Sequence, residues 1–94
     1  MHATREGIRA ELEAAGRNRA VIDAAQWLAW GHLSGPARQA SVAVAGLADW
    51  ALEHLPDTPE LTHGLRRLLE AKDCLVRAAI EAPPKPPQEE QRGA

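Results

Sequence analysis

The chain has 94 residues, a net charge of −2 at neutral pH and a hydrophobic share of 45%, with three tryptophans and neither phenylalanine nor tyrosine. That length makes one domain at most. The near-neutral charge argues against broad coating of a nucleic-acid polymer and against an anionic membrane surface, while leaving room for a small anion held by a few focused arginines. Alanine supplies much of the hydrophobic share, so the core buries little area per residue. Without the proline-rich end, about 80 residues remain to build it, a marginal number for a monomer, and a homo-oligomer is expected. The single cysteine, Cys74, has no internal partner, which points to a reducing compartment; as a small helical residue it is expected to be buried and inert. The longest weakly polar run, Ala40 to Leu52, is too short to span a bilayer and contains Asp49, and no signal peptide is read.

In chain order, residues 1–3 read as a frayed start. A first helix is expected over about residues 4–15, with Ile8, Leu12 and Ala15 as a narrow stripe and Gly16 at its end. Asn18 suits the cap of a second helix over about 19–30, whose apolar side is Val21, Ile22, Ala25, Leu28 and Ala29. Gly16 either breaks or merely weakens one long helix, and the sequence leaves both open. Trp27 and Trp30, three apart, are surface neighbours that fill a core, meet another copy, or stack a base. His32 follows in a flexible turn, Gly31 to Gly35.

Pro36 opens a third helix, capped by Ser34 or Gly35, over about 36–54. Its expected stripe is Ala40, Ala43, Val44, Leu47, Ala51 and Leu55, with Trp50 at the margin. It is almost uncharged from Gln39 to Ala48, the mark of a helix covered on several sides. Leu55-Pro56-Asp57 is a short turn, so the third and fourth helices should pack antiparallel.

The fourth helix, about 58–82, is the best marked. Asp57 or Thr58 caps it, Pro59 suits the first position and Glu60 meets the positive helix end. Leu61, Leu65, Leu68, Leu69, Leu75, Val76 and Ala79 share one face at about 100° per residue. Arg66–Glu70 and Asp73–Arg77 are spaced to pair on the opposite face. Gly64, Ala71, Cys74 and Ala78 form a third strip of small residues with Arg67 among them, suited to close approach by another copy. Lys72 points into the leucine stripe, where its stem either snorkels to water or carries the ammonium into a shared polar pocket. Residues 83–94 read as an extended, disordered tail. The fold expected is all-α: a small helical bundle, residues 1–82, with an antiparallel hairpin, assembling as a homo-oligomer.

No catalytic motif is present: no phosphate loop, nucleophile elbow or metalloprotease helix. The histidines at 2, 32, 54 and 63 are scattered; His54 and His63 lack a third ligand, so no metal and no cofactor are expected. Nothing supplies a nucleophile or a placed acid–base pair, and an enzyme is not expected. Binding is the more credible chemistry. Arg38, Thr62, Arg66 and Arg67 lie near the facing ends of the hairpin helices, and arginine forks suit phosphate oxygens.

The run Pro56, Thr58, Glu60, Thr62, Gly64, Leu65, Arg67, Leu68, Glu70, Ala71 and Ala79-Ile80 resembles the C-terminal pattern of the phage-encoded cyclic-oligonucleotide sponges of the anti-CBASS type. With the preceding alanine-rich helix, the match covers about residues 36–82. The resemblance implies a compact helical homo-oligomer, a hexamer in characterised relatives, with pockets between subunits that hold cyclic di- or trinucleotides without cleaving them. Some sponges of this general kind also take cyclic ADP-ribose isomers. It implies a place in the cytoplasm of an infected bacterial host, where sequestration starves an immune effector of its signal. The family usually carries an aromatic and a basic residue near the start of the penultimate helix. Here that region reads Gly35-Pro36-Ala37-Arg38-Gln39, with the charge but no aromatic. On this reading Arg38, Arg66 and Arg67 meet phosphates, Thr62 hydrogen-bonds a phosphate or base edge, and Trp27 or Trp30 stacks. The alternative is a small helical protein-interaction module with no nucleotide ligand.

Overall fold

Side-chain caps from Thr4, Asn18 and Thr58 start three of the helices. The structure is a computed structural model describing residues 1–81; the expected tail, 83–94, lies outside the described residues. Thr4 Oγ1 accepts the Gly7 amide at 3.1 Å and opens α1 (Arg5–Ala14). Gly16 ends it with a φ of 73°, while the Arg17 amide reaches back to the Leu12 carbonyl at 3.0 Å. Gly16 therefore separates two helices. Asn18 Oδ1 accepts the Val21 amide at 2.9 Å and starts α2 (Arg19–Ala25).

The second helix was expected to reach residue 30, and it does not. It passes into one 3-10 turn, Gln26–Leu28, and Ala29 is already extended at φ −58° and ψ 144°. The reason lies in competing partners. The amides of Trp30 and Gly31 donate to the Ala3 carbonyl, at 3.1 and 2.7 Å, instead of continuing the helix. Those two bonds also correct the expectation of a frayed start, since they tie residue 3 down. A Cβ on Gly31 would lie 2.9 Å from that same oxygen, so the close approach requires glycine.

α3 (Gly35–His54) follows Ser34, with Pro36 in its first turn; α4 (Pro59–Glu81) begins where Thr58 Oγ1 accepts the Leu61 amide at 3.2 Å. The described residues thus form an all-α fold of four helices with no strand. α3 and α4 share the most extensive contact; α2 packs on α4, and α1 on α2 and the 3-10 turn. Ile8, Leu12, Val21, Ile22, Leu28, Val44, Leu52, Leu61 and Leu65 form the core, so the expected N-terminal stripes are buried except for Ala15.

The stripe on α3 is turned from its expected position. Ala37, Ser41, Val44, Ala45, Ala48 and Leu52 are buried, while Ala43, Leu47 and Leu55 are exposed. A helix apolar on two sides can seat either one, and the side with the smaller residues admits the closer approach. Leu47 and Trp50 are left 55% and 53% exposed. Ser41 Oγ is buried without a partner, the one such side-chain atom among the described residues. On α4, Leu75 is exposed rather than on the core face, and so is the small-residue strip with Cys74, whose Sγ lies 3.7 Å from Arg77 Nη2. Ala71, Cys74, Leu75 and Ala78 lie beyond the hydrophobic cluster, whose last α4 neighbour is Leu69, whereas Gly64 is exposed alongside it.

Asp57, one of two expected caps for α4, is taken by another partner. Its Oδ1 accepts Arg17 Nε at 2.6 Å and its Oδ2 accepts the Asn18 amide at 2.6 Å. Arg17 also donates to the carbonyls of Leu52 and Leu55. One side chain thus joins the α1–α2 turn to the α3–α4 link. The hydrogen bond from Arg17 holds the Asp57 carboxyl below the usual carboxylate range, although partial burial opposes it.

Candidate functional site

A cavity of about 880 Å³ forms where the break after α2 meets the start of α1 and the middle of α4. Ala3 to Glu6 make one side, Gln26, Trp27 and Ala29 to His32 a second, Arg38 of α3 a third, and Leu69, Lys72 and Asp73 of α4 the last. Its volume falls in the range of sites for small organic ligands, roughly 300–1,000 Å³. The 3-10 turn is what creates it. Had α2 continued to residue 30, the carbonyls and tryptophans of this segment would be wound into one more helical turn.

Two indoles wall the cavity, each under a guanidinium. Arg5 Cζ sits 4.6 Å from the Trp27 ring centroid, and Arg38 Cζ 5.2 Å from that of Trp30. Both distances are within cation–π range. Trp27 is 49% exposed, so much of its surface is open. Arg38 is held by the turn it follows: Nε donates to the Leu33 carbonyl at 2.7 Å and Nη2 to the Gly31 carbonyl at 3.0 Å. The segment expected to be a flexible turn is therefore held at Gly31 and Leu33. Arg9 Nη1 reaches Gln26 Oε1 at 3.0 Å and fixes the buried amide of Gln26 behind the wall.

Lys72 closes the inner side. It is only 5% exposed, and its Nζ donates to the carbonyls of Trp27 and Ala29, both at 2.8 Å. These carbonyls stand at the C-terminal end of the α2 segment, where helix groups lack amide partners and the dipole favours a cation. Desolvation pushes the Lys72 ammonium below the ordinary lysine range, with the neighbouring Asp73 charge opposing the shift. Of the two readings of Lys72, snorkelling to water is excluded; the ammonium lies in a polar pocket within the chain.

The cavity gathers Trp27, Trp30 and Arg38, three of the residues singled out from sequence. It does not gather the others. Thr62 and Arg66 border a separate hollow of about 260 Å³ with Asn18, Asp57 and His63. Thr62 is buried, its hydroxyl 3.5 Å from the Thr58 carbonyl. Arg67 lines neither; it is 79% exposed and pairs with Glu70 at 2.6 Å, taking the carboxylate expected for Arg66. Arg5 carried no sequence signal, because a charged residue in a first helical turn is ordinary. Lys72 did carry one, as the only charge in a leucine stripe. Among the described residues, no group of three or more His, Cys, Asp or Glu stands close enough to hold a metal ion, and no helix is long and apolar enough to cross a membrane.

No family model matches the chain, and neither does any curated protein or solved structure.

Proposed function

We propose that this protein is a non-enzymatic sponge that binds and sequesters a cyclic nucleotide signal. The observation that carries the reading is the cavity, in which two indoles, two guanidiniums and a buried ammonium converge. A nucleotide needs a flat apolar surface for its base and cations for its phosphates, and here each arginine already lies over a tryptophan. A base stacked on Trp27 or Trp30 would bring its phosphate to the guanidinium beside that ring. Trp27 and Trp30 would then supply the aromatic surface missing from the start of α3. On this reading the ligand is held and later released intact.

The short link between α3 and α4 and their extensive contact support an antiparallel hairpin. The exposed Leu47, Trp50, Leu55 and Leu75 support association of copies through that hairpin, into the hexamer that the resemblance implies, in the cytoplasm of an infected host. Thr62, Arg66 and Arg67 would act only in such an assembly, at pockets between copies. The same exposed row favours the second reading, a protein-interaction module.

Calorimetry against cyclic dinucleotides, cyclic trinucleotides and cyclic ADP-ribose isomers, with molar mass measured on the same sample, decides between them. The expected result is tight binding to an oligomer and recovery of unaltered ligand after heating. Hydrolysed nucleotide would overturn the sponge. A folded protein giving no heat with any ligand would leave the interaction module.

A further inference from the structure

We propose that Lys72 is the anion-reading group of the cavity, donating its third N–H to a phosphate oxygen of a ligand whose aromatic ring lies on the tryptophan wall. This deepens the reading above and rests on the cavity being a ligand site. An ammonium buried to this degree normally has a carboxylate for a partner. Lys72 has none among the described residues. Its two acceptors are neutral carbonyls, those of Trp27 and Ala29 at 2.8 Å. An ammonium has three N–H groups, and these bonds account for two. The Lys72 side chain lines a cavity large enough for a nucleotide. The carbonyl dipoles hold the charge in place without neutralising it, which leaves an inner site that an anion completes.

The other charges facing the cavity decide how much anion it accepts. Arg5 and Glu6 come from the start of α1, His32 and Arg38 from the turn and α3, and Asp73 from α4 beside Lys72. With histidine neutral, three cations face two carboxylates, so the cavity suits one phosphate group near Lys72 better than a polyanion. The anion also reports on the lysine. Binding favours the charged form, so it raises the Lys72 titration midpoint, and by linkage affinity falls roughly tenfold per pH unit once the pH passes the midpoint of the free protein. That fall begins below the pH of about 10.4 at which an ordinary lysine titrates.

The chain has two lysines, Lys72 and Lys85, so labelled lysine side chains give two signals to follow by NMR. The 94-residue chain is titrated with pH alone, then with inorganic phosphate, adenosine monophosphate, or adenosine. The expected result is a low Lys72 midpoint that moves up with either anion and stays put with adenosine. Lys72→Met should lose the difference in affinity between adenosine monophosphate and adenosine, and the pH-dependence with it. A Lys72 that only braces the Trp27–Ala29 segment would show no ligand-linked shift, even if Lys72→Met unfolds. A midpoint unmoved by both anions, beyond what sodium chloride of equal ionic strength does, overturns the proposal. Tight cyclic-dinucleotide binding with Lys72 unmoved overturns it too, and leaves the sponge standing. A shifted Lys72 in a protein that takes no cyclic nucleotide supports the proposal and removes the sponge.

Discussion

Arg17 and Lys72 are both inward-turned cations that bond to backbone carbonyls, yet only one is neutralised. Arg17 meets the Leu52 and Leu55 carbonyls and adds the carboxylate of Asp57. Lys72 meets the Trp27 and Ala29 carbonyls and stops there. The first arrangement is closed: two links are fastened, both charges are matched, and no large cavity adjoins the pair. The second is open, with a cavity on the side where a carboxylate would otherwise stand. A matched charge holds a fold together, and the unmatched one, held by dipoles beside a cavity, is where we propose that a ligand binds. The contrast can be tested at both ends.

The largest effect is expected at the closed junction. Asp57→Ala removes the carboxylate from Arg17 and an acceptor from the Asn18 amide. It should lower stability by about 2 kcal/mol, the range for lost hydrogen bonds to charged groups, read as a fall in urea midpoint at unchanged slope. Acid should act on the same pair. Because the folded-state value of Asp57 is depressed, its contribution is present above the unfolded value of about 3.9 and is lost as pH falls through the lower folded value. Asp57→Asn should flatten stability over that window. If the mutant and native curves stay parallel, the junction is not the acid-sensitive element.

Gly31→Ala comes next and attacks the open site. The new methyl would meet the Ala3 carbonyl, for a loss of about 1.5 kcal/mol from overpacking. It should also release residues 1–4 from the cavity wall, seen as faster amide exchange at Trp30 and Gly31. Arg38→Gln should have a smaller effect, about 1 kcal/mol, through two carbonyl bonds and a cation–π contact. Its signature is a shift in indole fluorescence with the global fold kept.

These two sites also show what the sequence could convey. The cap at Asn18 and the stripes of the first two helices, apart from Ala15, follow from local chemistry, which is legible; at Gly16 and at the start of α4 local chemistry offered two alternatives each, and the Arg17–Asp57 contact takes Asp57 out of the second. The end of α2 was not legible, because it is decided by the Ala3 carbonyl and by Lys72, both distant along the chain. The α3 stripe was misplaced for a different reason. Two adjoining faces are apolar, and only the fit of Ala37, Ser41, Ala45 and Ala48 into the core selects between them. For the site, aromatic spacing found Trp27 and Trp30, and the anomaly in the leucine stripe flagged Lys72. Nothing local marked Arg5, whose role depends on where Trp27 is carried by a turn that sequence periodicity does not encode.

The smallest effect on stability is expected at Arg67. Its pair with Glu70 is exposed and three residues apart, worth about 0.3 kcal/mol. Arg67→Glu should therefore leave the unfolding midpoint nearly unchanged. Within one chain it borders neither the cavity nor the smaller hollow, so ligand affinity should also hold if the cavity alone forms the site. A fall in affinity with stability intact would mean that a second copy brings its α4 to the ligand. The molar mass of the mutant then distinguishes the causes. An unchanged oligomer with weakened binding makes Arg67 a contact at a pocket between copies, whereas a dissociated one makes it a contact of the interface itself.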